Sequence, residues 1–287
     1  GSVSAADVKA LRDKTAAGMM ECKKALAQAN GDMALAERLL KEKGLADAAK
    51  RVHRATKEGV VAIADGKDSV AVTEVYCETD FVARNDVFQK FANEVAAYVL
   101  GESKTLASID DFSPAFVNDK IKGTIATLGE NITIGRMKKL SRGANDAFAS
   151  YIHGGGKIGV AVRFTLGDVA AADKDAFKVY ARDIAMQIAS MNPVALDRSS
   201  VPEAMVEEQK DILRKKAAES GKPADIVEKM LDGQIAKFFK EITLVDQAWV
   251  ENNKQTISQL TAAVGKEIGT TITIAEYVRF MVGEELG

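Results

Sequence analysis

The feature that most constrains the fold is a diverged internal repeat. Residues 86–99 and 175–188 align with one constant offset, and every apolar position on one helical face is kept in both segments. The pairs are Phe88 with Phe177, Phe91 with Tyr180, Ala92 with Ala181, Val95 with Ile184, Ala96 with Ala185 and Val99 with Ile188. Strand-like sequence precedes each segment, at residues 59–64 and 70–76 and at residues 148–152 and 158–164. The pattern predicts an α+β fold in which two related subdomains each contain an antiparallel sheet and a helix.

The sequence ahead of the first copy predicts a small three-helix module. Apolar residues recur at helical spacing between residues 4 and 44, where Asn30-Gly31-Asp32 predicts a turn with a cap and Gly44 predicts the end of the third helix. Thr15 is a candidate cap for the second helix. A module of about 40 residues is close to the lower limit for independent folding, which favours an appended binding head over an enzyme core. We assign the head to residues 3–46.

The remaining boundaries follow from composition and spacing. The stretch 47–57 is rich in Lys and Arg and predicts a polar linker. A helical hairpin is predicted at 201–240, because two apolar-striped segments flank Ser220-Gly221-Lys222-Pro223. The two core subdomains are then 58–145 and the discontinuous 146–200 with 241–287. The last of these ranges contains a short helix at Ile257 and Leu260 and a terminal strand over 272–282.

Composition excludes several classes of protein. The chain carries 39 basic and 41 acidic residues, so it lacks the positive surplus expected of a protein that binds nucleic acid directly. No apolar run approaches the ~20 residues that a membrane span needs. The two cysteines, Cys22 and Cys77, offer no disulfide framework. We expect a soluble cytoplasmic protein.

The residues that side-chain catalysis usually requires are scarce. The two histidines, His53 and His153, belong to no cluster with metal-ligand spacing. His153 precedes Gly154-Gly155-Gly156-Lys157, which suggests a phosphate-binding loop, but the strand-like sequence after Lys157 does not fit a P-loop, which continues into a helix. A turn that enters a strand is the favoured interpretation. The sequence therefore predicts no catalytic residue, no metal site and no cofactor, and it favours a protein that works by binding rather than an enzyme.

An apolar pair interrupts a polar junction between a strand and a helix. The segment 78–85, which we call the corner, contains Phe81 and Val82. In one interpretation Phe81 folds back onto the sheet and Asp80 caps the following helix. In the other, Phe81 is an apolar wedge that a rigid scaffold presents to a partner. Met19-Met20 allows the same two interpretations, as core residues or as an adaptable contact surface.

Several motifs resemble one family. The segment from Thr15 to Leu26 closely resembles the amino-terminal signature of bacterial elongation factor Ts, and Thr79-Asp80-Phe81-Val82-Ala83 resembles its second signature. Ser220-Gly221-Lys222-Pro223, His153-Gly154 and the terminal 278–284 occur in the order that the family shows. The resemblance extends from Val3 to Gly287, and it implies a UBA-like fold for the head and a protruding hairpin.

The resemblance also implies a function. Proteins of this family are guanine-nucleotide exchange factors of elongation factor Tu, the GTPase that delivers aminoacyl-tRNA to the ribosome. It implies that Phe81 inserts beside the nucleotide-bound magnesium of that partner, supported by Thr79, Asp80 and Val82. The other residues that it places against the GTPase domain are Arg12, Met19, Met20 and Lys23 of the head and His153 of the second subdomain.

Two other functions stay open at this stage. The chain could be a structural or dimerisation scaffold that works through its helical hairpin, and the resemblance makes a homodimer through this hairpin conceivable. It could also be an enzyme that binds a nucleotide at Gly154-Gly155-Gly156-Lys157.

Overall fold

The computed structural model describes residues 3–15 and 17–285. Ala16, within the first motif, lies outside them. The chain opens with helices α1 (Ala5–Thr15), α2 (Met19–Gln28) and α3 (Met33–Arg51). They enclose a core of their own that contains Leu11, Cys22 and Leu26. The predicted turn is confirmed, because the Asp32 side chain accepts a hydrogen bond from the Leu35 backbone N–H at 3.1 Å. Thr15 does not cap α2: its hydroxyl donates to the Leu11 carbonyl within α1, and α2 begins after Gly18.

The prediction that the third helix ends at Gly44 is wrong, and so is a linker that starts at residue 47. Helix α3 continues to Arg51, and Ala48 is buried in the core of the first subdomain. The physical reason lies in helix α7 (Lys122–Leu128), since a Cβ on Gly44 would stand 2.9 Å from the Ala126 Cβ. Glycine marks a close approach of two helices here, not a helix end. The head is therefore joined to the core by a continuous helix.

Two three-stranded antiparallel sheets confirm the repeat. The first has the order β1 (Glu58–Asp65), β2 (Ser69–Cys77), β3 (Thr133–Ser141), and the second has β4 (Asp146–His153), β5 (Ile158–Leu166), β8 (Ile272–Met281). In each copy a hairpin leads to a long helix, and a later strand adds beside the second strand. Those helices are α5 (Asp86–Gly101) and α8 (Asp175–Met191). All twelve residues paired in the repeat are buried under their own sheet.

The long connections from β2 to β3 and from β5 to β8 contain several shorter elements. Helix α4 (Asp80–Ala83) forms in the corner, and α6 (Pro114–Phe116) continues through a π-helical turn into α7. A two-stranded ribbon of β6 (Ala248–Trp249) and β7 (Asn252–Thr256) precedes α11 (Ile257–Ile268). The terminal strand that the sequence predicts is β8, whereas β3 is absent from the sequence-based prediction.

The two sheets pack against each other. A shared apolar cluster joins Val61 and Leu140 of the first sheet to Ala161 and Phe280 of the second. Close packing requires glycine at position 159, because a Cβ there would lie 2.3 Å from the Val61 Cγ1. The two subdomains consequently form one rigid core that carries the loops at its edges.

The helical hairpin is confirmed as α9 (Glu203–Glu219) and α10 (Ala224–Ile242). Leu231 is the one buried residue of these two helices, while Ile212 and Ile226 are exposed. The Val194 backbone N–H donates to the Ile242 carbonyl at 2.8 Å, which ties the end of α10 to the second subdomain. No helix within residues 3–15 and 17–285 is long and apolar enough to cross a membrane.

Candidate functional site

The corner presents one aromatic side chain to solvent. Strand β2 ends at Cys77, and the chain turns directly into α4, where Phe81 is 78% exposed. Its neighbours hold the backbone down, since Ala83 is buried and Val82 is half-buried against the first core. The interpretation in which Phe81 folds back onto the sheet is therefore wrong. An exposed phenylalanine on a short helix that packs on the core is instead suited to contact a partner protein.

Two residues other than Asp80 cap the helices of the corner. The Thr79 hydroxyl accepts a hydrogen bond from the Val82 N–H at 3.3 Å and caps α4. The Asn85 side chain accepts from the Val87 N–H at 2.8 Å and caps α5. Asp80 pairs with Arg84 at 3.0 Å, and the Arg84 guanidinium lies 5.8 Å from the Phe81 ring centroid. Asp80 thus sets the position of a cation beside the aromatic ring.

A glutamate distant in sequence holds the start of the corner. Glu130 lies in the loop between α7 and β3, and its carboxylate accepts hydrogen bonds from the Glu78 N–H at 3.0 Å, the Thr79 N–H at 3.0 Å and the Thr79 hydroxyl at 2.7 Å. Glu78 reciprocates by accepting from the Asn131 N–H at 2.8 Å. Sequence reasoning missed both Glu130 and Asn131. The one local signal was a polar pair directly after the helix-ending Gly129.

The same loop holds the chain that arrives from the head. The buried Asn131 side chain donates to the Arg54 carbonyl at 2.9 Å and to the Val52 carbonyl at 3.4 Å. The Arg54 guanidinium lies 3.6 Å from the Glu78 carboxylate. Loop, corner and the end of the head helix are therefore joined by polar contacts.

Cys77 has a structural role at the base of the corner. Burial, and in second place the charge of Glu130, raises the pKa of its thiol to about 12. The thiol donates to the Thr79 carbonyl at 3.2 Å. A thiol that stays protonated at neutral pH is a poor nucleophile, which argues against a chemical role.

The head presents a second apolar surface. Met19 is 58% exposed and Met20 is 64% exposed at the start of α2, so the interpretation in which they are core residues is wrong. Lys23 lies one turn from Met19 and is exposed, as is Arg12 on α1. Within the part of the chain that the structure describes, neither cation takes part in an ion pair. Two flexible apolar side chains beside free positive charge form a surface suited to an acidic partner.

The glycine-rich turn does not form a phosphate cradle. Gly154, Gly155 and Gly156 adopt φ values of 63°, 67° and 99°, and they connect β4 to β5 as a tight turn. The Lys157 side chain is bound to β1 and does not point to a ligand, because its ammonium donates to the Gly59 carbonyl at 3.0 Å and pairs with Glu58 at 3.2 Å. The prediction of a turn entering a strand is confirmed.

His153 lies at the exposed end of β4, immediately before this turn. Its Nδ1 is 3.0 Å from the Tyr151 hydroxyl, and the pair leaves the imidazole at the surface. The structure brings Thr79, Asp80, Phe81 and Val82 together in the corner. It places His153 and the head residues on other elements, and no hydrogen bond joins them to the corner among the residues described. The candidate site is therefore a set of separate contact points.

The described residues, 3–15 and 17–285, contain no cluster of three or more His, Cys, Asp or Glu side chains that could hold a metal ion. The surface of the corner carries an aromatic ring, an ion pair and backbone groups engaged within the chain. Such an arrangement can contact a partner protein through the exposed ring.

Comparison with known proteins gives consistent matches. The profile of the family described as Elongation factor TS matches residues 78–284. Elongation factor Ts of Lawsonia intracellularis is 40% identical over 293 residues, which cover 99% of this chain and 100% of the relative. Elongation factor Ts of Desulfovibrio desulfuricans is 41% identical over 288 residues, which cover 99% of each chain. Elongation factor Ts of Clostridium acetobutylicum is 44% identical over 292 residues, which cover 98% of this chain and 93% of the relative.

Proposed function

The chain belongs to the elongation factor Ts family of translation elongation factors, and we propose that it is the guanine-nucleotide exchange factor of bacterial elongation factor Tu. It acts by binding and makes or breaks no covalent bond. The observation that carries the proposal is Phe81, a 78% exposed aromatic ring on a corner fixed from two sides. An aromatic side chain left in water on a rigid support gains most of its binding energy when a partner covers it.

Phe81 acts as a wedge beside the magnesium ion bound with the nucleotide of the partner. Magnesium bridges phosphate oxygens to protein ligands, so its displacement removes the largest local counter-charge on the diphosphate. Asp80 supports the wedge by holding Arg84 beside the ring, Val82 anchors the short helix on the first core, and Thr79 caps that helix. GDP consequently leaves faster.

The remaining contact points hold the GTPase while the wedge acts. Met19, Met20 and Lys23 present an apolar and positive surface at the start of α2, Arg12 is exposed on α1, and these residues bind the GTPase domain. His153 presses from the second subdomain toward the phosphate side. Because helix α3 runs unbroken from the head into the core, the head and the corner engage the partner in a fixed relationship.

Thermodynamic linkage limits how such a factor can work. If it weakens GDP binding by some ratio, GDP must weaken the binding of the factor by the same ratio. The wedge therefore needs a conformation of the GTPase that it binds better than the GDP-loaded one. The nucleotide-free partner is that conformation, and binding of a new nucleotide releases the factor.

Release of fluorescent GDP from purified bacterial elongation factor Tu tests the proposal. We expect strong acceleration by sub-stoichiometric amounts of the chain, because the factor turns over between partner molecules. Release that stays at the uncatalysed rate, with a folded chain and a cognate partner, would contradict the proposal. The isolated chain should bind no guanine nucleotide by itself, which separates this function from that of a nucleotide-binding enzyme.

The hairpin supports a second candidate function, a dimerisation scaffold. Helices α9 and α10 expose Ile212 and Ile226, which are 45% and 43% accessible, and a second copy of the chain could cover them. Removal of residues 203–240 separates the two functions. If the chain is an exchange factor, the shortened protein retains accelerated GDP release and Phe81→Ala loses it. If the chain is a scaffold, the deletion abolishes assembly and Phe81→Ala changes nothing.

A further inference from the structure

The support under the wedge depends on one carboxylate that carries three hydrogen bonds. One oxygen of Glu130 accepts the backbone N–H groups of Glu78 and Thr79, and the other accepts the Thr79 hydroxyl. Ionised carboxylates form the stronger class of hydrogen bond with such donors. The three donors lie on two consecutive residues at the junction of β2 and α4, so the contact fixes the direction in which the chain leaves the sheet.

Glu130 also determines how Thr79 caps α4. A threonine hydroxyl has a single proton and two lone pairs. Because the proton is given to Glu130 at 2.7 Å, a lone pair is left for the Val82 N–H at 3.3 Å. The cap of the helix that presents Phe81 is therefore oriented by a residue that lies outside the corner and more than forty positions further along the chain.

The return contact makes the arrangement reciprocal. The Glu78 carboxylate accepts from the Asn131 N–H at 2.8 Å, so each segment is bound by a carboxylate of the other. The Asn131 side chain binds the carbonyl of Arg54 at 2.9 Å, where the chain arrives from the head. A tilt of the corner would break contacts on both sides of this junction at once.

We propose that Glu130 is a positioning residue for nucleotide exchange, one that holds Phe81 at the angle from which it enters the partner. The proposal rests on the exchange function proposed above. Glu130 acts through Thr79 and the corner, whose wedge touches the partner. A change at Glu130 should lower the maximal acceleration of GDP release while the affinity for the partner changes little, because the head presents a further contact surface on a separate element.

The substitution Glu130→Gln tests this with minimal change in shape. A glutamine can keep its one oxygen on the two backbone N–H groups, but that acceptor is no longer charged, and its NH2 group cannot accept the Thr79 hydroxyl proton. Glu94→Gln is the matched control, because Glu94 lies on the same subdomain and pairs with Lys120 at 3.6 Å on the surface. Hydrogen exchange of the free protein measures directly how well the backbone amides of the corner are protected. The Glu78 and Thr79 amides should exchange roughly tenfold faster in Glu130→Gln, because their acceptor loses its charge and the Thr79 hydroxyl loses its acceptor, and they should be unchanged in Glu94→Gln.

The rate of GDP release, measured against the concentration of the factor, shows how the substitution changes nucleotide exchange. We expect the maximal acceleration to fall roughly tenfold in Glu130→Gln, with a half-saturating concentration within about twofold of the wild type. In a Phe81→Ala background the same substitution should have almost no further effect, since it acts through the ring. A merely structural role would lower the melting temperature and weaken binding equally in both backgrounds.

The outcomes separate the two proposals. If the wild type accelerates release and Glu130→Gln matches it, the positioning role is overturned and the exchange function stands. Equal losses in the wild-type and Phe81→Ala backgrounds also overturn the positioning role. If the wild type itself fails to accelerate release, the exchange function falls and the positioning role falls with it.

Discussion

Gly44 of the head helix lies directly against Ala126 of the core, and a Cβ on the glycine would stand 2.9 Å from the alanine Cβ. The two helices can approach this closely because position 44 has no side chain. Polar contacts lie on either side of it, with Lys41 paired to Asp119 at 2.6 Å and the Arg51 guanidinium donating to the Ile125 carbonyl at 3.4 Å. The close approach of the head helix to the core thus requires that position 44 carry no side chain.

Gly44→Leu should displace the head. A leucine at this contact cannot be accommodated without a shift of α3 or α7, and overpacking of this kind costs about 1–3 kcal/mol. We expect a lower melting temperature and a higher half-saturating concentration in GDP release. Gly123→Ala is the control, since nothing lies within 4 Å of a Cβ there and alanine favours the helix. Equal behaviour of the two variants would show that the close approach does not hold the head.

An acidic residue buried in the first sheet should make stability depend on pH. Burial by itself would raise the pKa of Glu74, but hydrogen bonds from Arg136 and Tyr76 outweigh it and hold this pKa below its usual range. A carboxylate with a depressed pKa stabilises the fold above its unfolded pKa, and this contribution is lost as the pH falls through the folded value.

Glu74→Gln therefore tests the pair most sharply at neutral pH. The Glu74 side chain is 2% exposed and its carboxylate lies 2.6 Å from the Arg136 guanidinium, so the variant leaves a cation without its main partner. We expect a loss of about 3 kcal/mol in the free energy of unfolding at pH 7. Urea unfolding should show the difference from the wild type shrinking below about pH 4.3, where the unfolded carboxyl becomes protonated. A difference that stays constant down to pH 3 would contradict the assignment.

Phe81→Ala separates a contact residue from a core residue. Because the ring is 78% exposed, its removal should leave the melting temperature nearly unchanged. The acceleration of GDP release should fall by the equivalent of about 1–3 kcal/mol, the range for an interface anchor. Phe238→Ala, on the hairpin, is the control and should retain exchange. A normal exchange rate in Phe81→Ala would exclude the wedge. Loss of folding in this variant would indicate that Phe81 stabilises the fold as a core residue does.

The sequence predicts those helices and strands whose apolar residues recur at a regular spacing. The repeat is visible because Phe88 and Phe177 begin equivalent apolar stripes, and a stripe of this kind is fixed by helix geometry within one segment. Strand β3 was missed because Arg136, Lys138 and Lys139 interrupt its apolar pattern. Arg136 occurs there for a tertiary reason, its pairing with the buried Glu74, which no local pattern records.

The candidate site divides in the same way. An exposed Phe81 was one of two interpretations, and the choice between them depended on whether the sheet below had room for the ring. The cap of α4 could not be chosen from residue types, since Thr79 and Asp80 are both good cap residues. Glu130 decides the matter by orienting the Thr79 hydroxyl, and it belongs to a loop that the fold alone brings to the corner.

Cys77 should be protected from alkylation in the native protein. Burial raises the pKa of its thiol to about 12, so at pH 8 almost no thiolate forms, and the buried sulfur is also shielded from the reagent. Treatment with iodoacetamide at pH 8, followed by mass spectrometry of peptides, should show no labelling of Cys77 in the folded chain and rapid labelling in urea.

Glu130→Gln provides a graded test, because it removes the charge of Glu130 and loosens the corner beside this residue. Cys77 should then label faster while Cys22, buried in the separate core of the head, keeps its wild-type rate. Equal rates at Cys77 in the two proteins would mean that the corner stays closed without Glu130.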